Sequence, residues 1–134
     1  MNIPTDLKYS TEHEWVKLDG DVATVGITDY AQSQLGEIVF VDIQPDMEGE
    51  TLAKGEVFGA IEAVKTVADA FMPVSGEIVK INGDVNELSD NDSSQESVVN
   101  ADPYGAGWMI KVKISNPSEL DDLMDNEDYE DFTS

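Results

Sequence analysis

The 134-residue sequence predicts a mostly β fold, a flattened sandwich with short peripheral and C-terminal helices, forming one domain over 1–134. Three observations carry that reading. Short runs rich in β-branched, aromatic and small residues recur at 15–18, 22–27, 37–43, 57–62, 67–72, 77–81 and 108–114, and turn residues separate them. Gly36-Glu37-Ile38-Val39 recurs as Gly76-Glu77-Ile78-Val79, each copy followed by one residue and then by Val41 or Ile81, which agrees with two similar β-halves packed face to face. Helix signals are short and confined to a segment behind Thr28 and to the region after Pro117.

Taken in order, Trp15-Val16-Lys17-Leu18 and Val22-Ala23-Thr24-Val25-Gly26-Ile27 flank the turn signal Asp19-Gly20-Asp21, so the chain opens with an antiparallel pair. Thr28 can cap a helix over 29–35, with Asp29 in its first turn and Gly36 placed to end it; such a helix covers one face of a sheet. The run 37–43 alternates and reads as a strand, Pro45 with Gly49 makes the next turn, and Lys54-Gly55 makes another. The segments on either side of Lys65 predict a tight hairpin with this lysine at or beside its tip, and Pro73 and Gly76 punctuate the chain before the strand at 77–81. Residues 84–102 are polar and acidic, with Leu88, Val98 and Val99 as occasional anchors, and read as a surface loop. The run 108–114 alternates again. Beyond Pro117, Leu120, Leu123 and Met124 recur at helical spacing and predict a helix over 118–124 facing the sandwich, and a second short helix over 127–132 completes an acidic C-terminal segment.

Seven basic residues, all lysine, against 29 acids give a formal charge of -22, which disfavours binding to nucleic acid or to an anionic membrane. Cysteine is absent, so disulfides, thiolate metal sites and a cysteine nucleophile are excluded, and any sulfur redox chemistry has to come from a bound group. The first eight residues lack the apolar core of a signal peptide and the arginine-rich face of a transit peptide, and no apolar run approaches the length of a membrane span. The expectation is a cytoplasmic prokaryotic protein.

Catalytic sets are scarce. There is no Gly-rich phosphate loop, no nucleophile elbow and no defensible set of Ser, His and Asp. His13 is alone and lacks partners at metal-site spacing, which favours a structural or surface role. Asp90-Asn91-Asp92 starts like a calcium loop, but Gln95 stands where the sixth place requires Gly; Asn91-Asp92-Ser93 fits a glycosylation sequon that means nothing without a secretory signal. Lys65 stands apart. An amine at an exposed tip is badly placed as a nucleophile, because it needs desolvation or a cationic neighbour to lose its proton near neutral pH, and it is well placed to be modified.

Glu62-Ala63-Val64-Lys65, with Gly59 upstream and Pro73, Gly76 and Ile78 downstream, resembles the lipoyl-lysine signature of the glycine cleavage system H-protein family. The resemblance extends to His13-Glu14-Trp15, Gly26-Ile27-Thr28, Ala31-Gln32, Leu35-Gly36-Glu37, Val39-Phe40-Val41 and Gly107-Trp108, and so covers nearly the whole chain. Three departures stand out: Ala63 where the family usually has Ser, Tyr30 where a His is common, and the unusually polar stretch 90–97. The resemblance implies the flattened sandwich of lipoyl and biotinyl domains, the barrel-sandwich hybrid, and a non-catalytic carrier with lipoate joined to Lys65 through an amide, in a context set by Glu62 and Val64. It implies four partners: a pyridoxal-phosphate glycine decarboxylase that loads an aminomethyl group, a tetrahydrofolate-dependent aminomethyltransferase that unloads it, an FAD dihydrolipoamide dehydrogenase, and a lipoate-attaching enzyme. It also implies that Glu14 and Asp69 line a cleft that shelters the loaded arm.

Related carriers fit less well. Lipoyl domains of 2-oxo acid dehydrogenases usually carry Asp where Val64 stands, and biotin carriers usually place their lysine between methionines, unlike Val64 and Thr66. An H-like protein acting as a lipoate relay donor shares the whole pattern.

Overall fold

The computed structural model describes residues 2–83 and 98–133. Strands β2 (Glu14–Asp19) and β3 (Val22–Ile27) form the opening hairpin, with Asp19 opposite Val22 across a two-residue loop. Gly20 in that loop has φ +65, a left-handed conformation that glycine adopts without a Cβ clash. A two-residue strand, β1 (Lys8–Tyr9), pairs with the other side of β2. Helix α1 (Asp29–Leu35) starts and stops on the expected residues: Thr28 Oγ1 accepts the Ala31 N–H at 3.1 Å, and Gly36, at φ +81, donates its N–H to Gln32 O at 2.9 Å.

The chain continues through β4 (Ile38–Asp42), a 3-10 turn at Pro45–Met47, the two-residue β5 (Thr51–Leu52), β6 (Val57–Ala63), β7 (Val67–Phe71) and β8 (Gly76–Ile81). After residue 97 come a single helical turn, α2 (Val98–Ala101), β9 (Ile110–Ile114), a 3-10 segment at Pro117–Asp122 and the C-terminal helix α3 (Asn126–Thr133). Two antiparallel sheets result, a large one in the order β1-β2-β3-β9-β8-β5 and a small one in the order β4-β6-β7.

The repeated tetrapeptide explains how the sheets share one core. Its two copies lie in opposite sheets, and each turns its isoleucine inward and its valine outward: Ile38 and Ile78 are buried in the same cluster, while Val39 and Val79 are exposed. A one-residue slip in either strand would reverse that choice, so the alternation fixes the register. Phe58, Ile61, Met72, Val25 and Val112 fill the space between, each contributing roughly 1.5–3 kcal/mol by burial. A second cluster gathers Leu7, Tyr9, Trp15 and Tyr129 at one end of the large sheet. Trp15 donates its indole N–H to Pro103 O at 2.9 Å, which fastens the segment before β9 onto β2.

Two expectations need correction. The surface loop assigned to 84–102 does not extend through Val98–Ala101, which is helical, with Val99 fully buried in the main core. A buried valine anchors this turn from within an otherwise polar stretch, and Asn100 ties it to α1 through Gln32 Oε1 and Gly36 O. Leu88, the calcium-like Asp90-Asn91-Asp92 with Gln95, and the sequon at Asn91 lie outside the described residues. The predicted helix over 118–124 is instead a 3-10 segment that stops at Asp122. Asn116 and Pro117 start it, but Met124 is captured by Tyr9 in a pair of backbone hydrogen bonds, each 2.8 Å, which pulls the chain out of helical geometry. Leu120 and Leu123 still face the main core, whereas Met124 packs on the second cluster. The final helix, expected over 127–132, is present as α3.

Candidate functional site

The β6–β7 hairpin presents Lys65 at its tip. Ala63 N–H donates to Thr66 O at 2.8 Å and closes a two-residue turn of Val64 and Lys65, while Val64 N–H donates to Glu37 O at 3.0 Å and ties the turn to the start of β4. The base of the lysine is therefore fixed by two strands, and its side chain is exposed. It leans toward the end of α1: its Cε lies 3.6 Å from the point a Cβ on Gly36 would occupy. Val64 and Val67 flank it with 70% and 61% of their surfaces exposed, an apolar collar of the kind a docking enzyme can cover. Glu62 is half-buried, opposite Phe40 on one side and Val67 on the other.

Beside the hairpin lies a cavity of about 310 Å³ between the start of β2, helix α1 and strand β7. Ile27, Leu35, Ile61 and Ala68 give it apolar walls, and Glu14 and Asp69 both line it. The structure thus brings together the two acids singled out from the sequence, 55 positions apart, while Glu62 and Val64 remain at the hairpin tip outside the cavity. Leu35, next to the glycine that Lys65 approaches, also lines the cavity, whereas Lys65 itself is not among its lining residues.

Glu14 is only 2% exposed. One carboxyl oxygen accepts the Ser10 hydroxyl at 2.7 Å and the other accepts the Phe71 N–H at 3.3 Å, while Ser10 Oγ in turn accepts the Glu14 N–H at 3.1 Å. Burial pushes the carboxyl up from 4.5 to about 7, although both of these hydrogen bonds work in the opposite direction. Asp69, by contrast, is exposed at the rim. Ser10 and Phe71 were not legible as site residues. A serine four positions before a glutamate carries no signal of its own, and the Phe71 contribution is a backbone N–H.

Among the neighbouring groups, His13 has φ +69, the left-handed region, and its pKa is lowered by burial against the opposing pull of Glu12. Its ring packs on Tyr30 with centroids 4.9 Å apart. A second cavity of about 300 Å³ lies on the other side of Glu14, lined by Ser10, Phe71 and Met124 and flanked by the Lys54–Asp122 ion pair at 3.4 Å. No cluster of three or more metal-ligating side chains occurs among the described residues, and none of their helices is long and apolar enough to cross a membrane.

This arrangement, an exposed lysine on an over-tied hairpin with an apolar cleft and two carboxylates alongside, fits a tethered acyl arm. Comparison with known proteins agrees. Residues 7–134 match the family model described as Glycine cleavage H-protein. The chain is 57% identical over 129 residues to the glycine cleavage system H protein of Bacteroides fragilis, covering 96% of this chain and 95% of that one. It is 53% identical over 131 residues to the protein of the same name from Chlorobium phaeovibrioides, with the same coverage. A crystal structure of a glycine cleavage system H protein from Mycobacterium marinum superimposes with a TM-score of 0.75 at 34% identity, covering 95% of both chains. By sequence over nearly its full length, and by the sandwich it shares with that structure, the chain belongs to the glycine cleavage H-protein family.

Proposed function

We propose that this chain is the lipoyl carrier of the glycine cleavage system, with lipoate joined by an amide to Lys65. The observation that carries the reading is the hairpin: of the seven basic residues, Lys65 projects from a closed two-residue turn tied to β4 through Val64, and the strand that follows the turn supplies Ala68 and Asp69 to the cleft. When bound, lipoate supplies a dithiolane that takes up the aminomethyl group of glycine and hands it on. The chain's own residues anchor, orient and shelter. The turn holds the base of the arm still, Val64, Val67 and Glu62 form the surface that a lipoate-attaching enzyme meets, and the apolar walls exclude water from an arm that folds back.

Glu14 and Asp69 act as acceptors for the cationic amine that a loaded arm brings. A buried carboxyl near its titration point gains more from a cation than a solvated one, because the pair forms in a medium of low dielectric. The partners are the pyridoxal-phosphate glycine decarboxylase, the tetrahydrofolate aminomethyltransferase and the FAD dihydrolipoamide dehydrogenase, with the carrier itself performing no catalysis. Peptide mapping of protein from its native host tests the attachment: lipoate is expected on Lys65 and absent from a Lys65→Arg chain, and lipoate on Lys54 or Lys80 would overturn it. Loading wild-type, Glu14→Gln and Asp69→Asn chains and following formaldehyde release without partner enzymes tests the cleft. Both variants are expected to release faster, and equal rates in all three would refute the protective role.

A further inference from the structure

Two of the elements that wall the cleft, the start of β2 and helix α1, are joined at a residue that belongs to neither. Tyr129 is the fully buried side chain of α3, and its ring stacks on Tyr9 with centroids 4.7 Å apart. Its hydroxyl lies 2.8 Å from His13 Nδ1 and 2.7 Å from Thr28 Oγ1. His13 and Glu14 form the wall at the start of β2; Thr28 caps α1, which supplies Tyr30 and Leu35 to the facing wall. The backbone joins them too: the Thr28 N–H to His13 O bond of 3.1 Å continues the β2–β3 ladder beyond the Glu14–Ile27 pair.

The tautomer of His13 sets the direction of the bridge. Thr28 Oγ1 accepts the Ala31 N–H and keeps a proton and a second lone pair for the Tyr129 oxygen; with the neutral imidazole protonated on Nε2, the phenol donates to Nδ1 and accepts from Thr28. Neutrality is what the surroundings favour, since burial lowers the His13 pKa. The groups that face this ring are Glu12 from its own segment, Tyr30 from α1, and Tyr129 and Phe132 from α3. His13 also holds a positive φ, a conformation that persists in a non-glycine residue only where the surrounding bonds fix it.

We propose that Tyr129 is a positioning residue of the carrier: through a hydrogen-bond chain from Thr28 to Tyr129 to His13, the C-terminal helix fixes the separation of the two cleft walls and so sets how completely the cleft encloses the arm. This rests on the reading of the cleft as the shelter of the loaded arm. It gives the acidic C-terminal helix a task although none of its residues lines the cavity.

Tyr129→Phe keeps the ring on Tyr9 and removes both bonds at once. The loaded variant is expected to release formaldehyde roughly fivefold faster than wild type, the size of effect that losing a buried hydrogen bond produces, with far-ultraviolet circular dichroism unchanged. The chain has one histidine, so imidazole resonances report on the other end of the bridge without assignment. Wild type is expected to show an Nε2–H tautomer that titrates below the ordinary range, and Tyr129→Phe a higher titration, because the neutral ring has lost the bond that favoured it. A Glu14→Gln chain loaded in parallel separates the two ways of failing. Faster release from Glu14→Gln with wild-type release from Tyr129→Phe overturns the positioning role and leaves the cleft reading intact, whereas unchanged release from both removes the cleft reading and this inference with it. An imidazole titration left unchanged by Tyr129→Phe overturns the bridge between the C-terminal helix and His13.

Discussion

Replacing the Glu14 carboxyl by an amide separates its charge from its shape. In Glu14→Gln the amide oxygen can accept the Phe71 N–H and the amide nitrogen can donate to Ser10 Oγ, so both contacts of the native side chain have counterparts. What disappears is titration. The folded protein raises this carboxyl from 4.5 to about 7, and at 1.36 kcal/mol per unit the difference amounts to about 3 kcal/mol. The sign follows from proton counting. Between those two values the native state holds a proton that the unfolded chain has released, so the stabilisation is complete below 4.5 and is lost as pH rises through about 7. Urea unfolding of both chains from pH 5 to 8 should therefore show wild type losing ground to Glu14→Gln by about 1 kcal/mol per pH unit between 5 and 7, then running parallel to it. Repulsion among the other acids and the titration of His13 are common to both chains and cancel in the difference. A difference that is flat over the whole range would mean that Glu14 is already ionised in the native protein, and the reasoning from burial would fail.

Gly59→Ala should destabilise the small sheet by roughly 1–3 kcal/mol, read as a lower urea midpoint at an unchanged slope, because the new Cβ would meet the Asp42 carbonyl oxygen at 2.7 Å and Ile43 Cγ1 at 2.9 Å, and a backbone oxygen in a paired strand cannot step aside. Association with the native decarboxylase should weaken as salt rises from low to moderate concentration, since a chain with a net charge of -22 selects a basic docking face and screening erodes that attraction. Calorimetric titrations at two ionic strengths check this, and binding that stays flat or tightens would point to the exposed Val64 and Val67 as the main contacts instead.

Signals that act over a few residues were legible in the sequence. Thr28 and Gly36 bracket α1 because capping is chemistry between neighbours, and the Lys65 hairpin follows from the two β-rich runs that flank the lysine. Events decided by distant partners were not. The one-turn helix at Val98–Ala101 exists because Val99 reaches the core and Asn100 reaches α1, and neither partner is visible from a polar stretch. Likewise Met124 leaves its helical spacing for a bridge to Tyr9, 115 positions earlier. The site divides in the same way. Lys65, Glu14 and Asp69 were found through resemblance, whereas Ser10, Phe71 and the Tyr129 bridge join segments whose sequences say nothing about one another.

Strand β7 is the last strand of the small sheet, and its outer side faces the cleft, where Phe71 N–H reaches Glu14. A sheet border of this kind is normally closed by another strand, a helix or a bulge, because it can recruit an identical border from a second molecule. Here closure would fill the cleft, so the border has to stay open and protection has to come from elsewhere. The surplus of 29 acids over seven basic residues supplies it as mutual repulsion between molecules, with Asp69 on the border itself. Like charge at this density opposes the pairing of two such borders, and acidification that neutralises the carboxylates should remove that opposition.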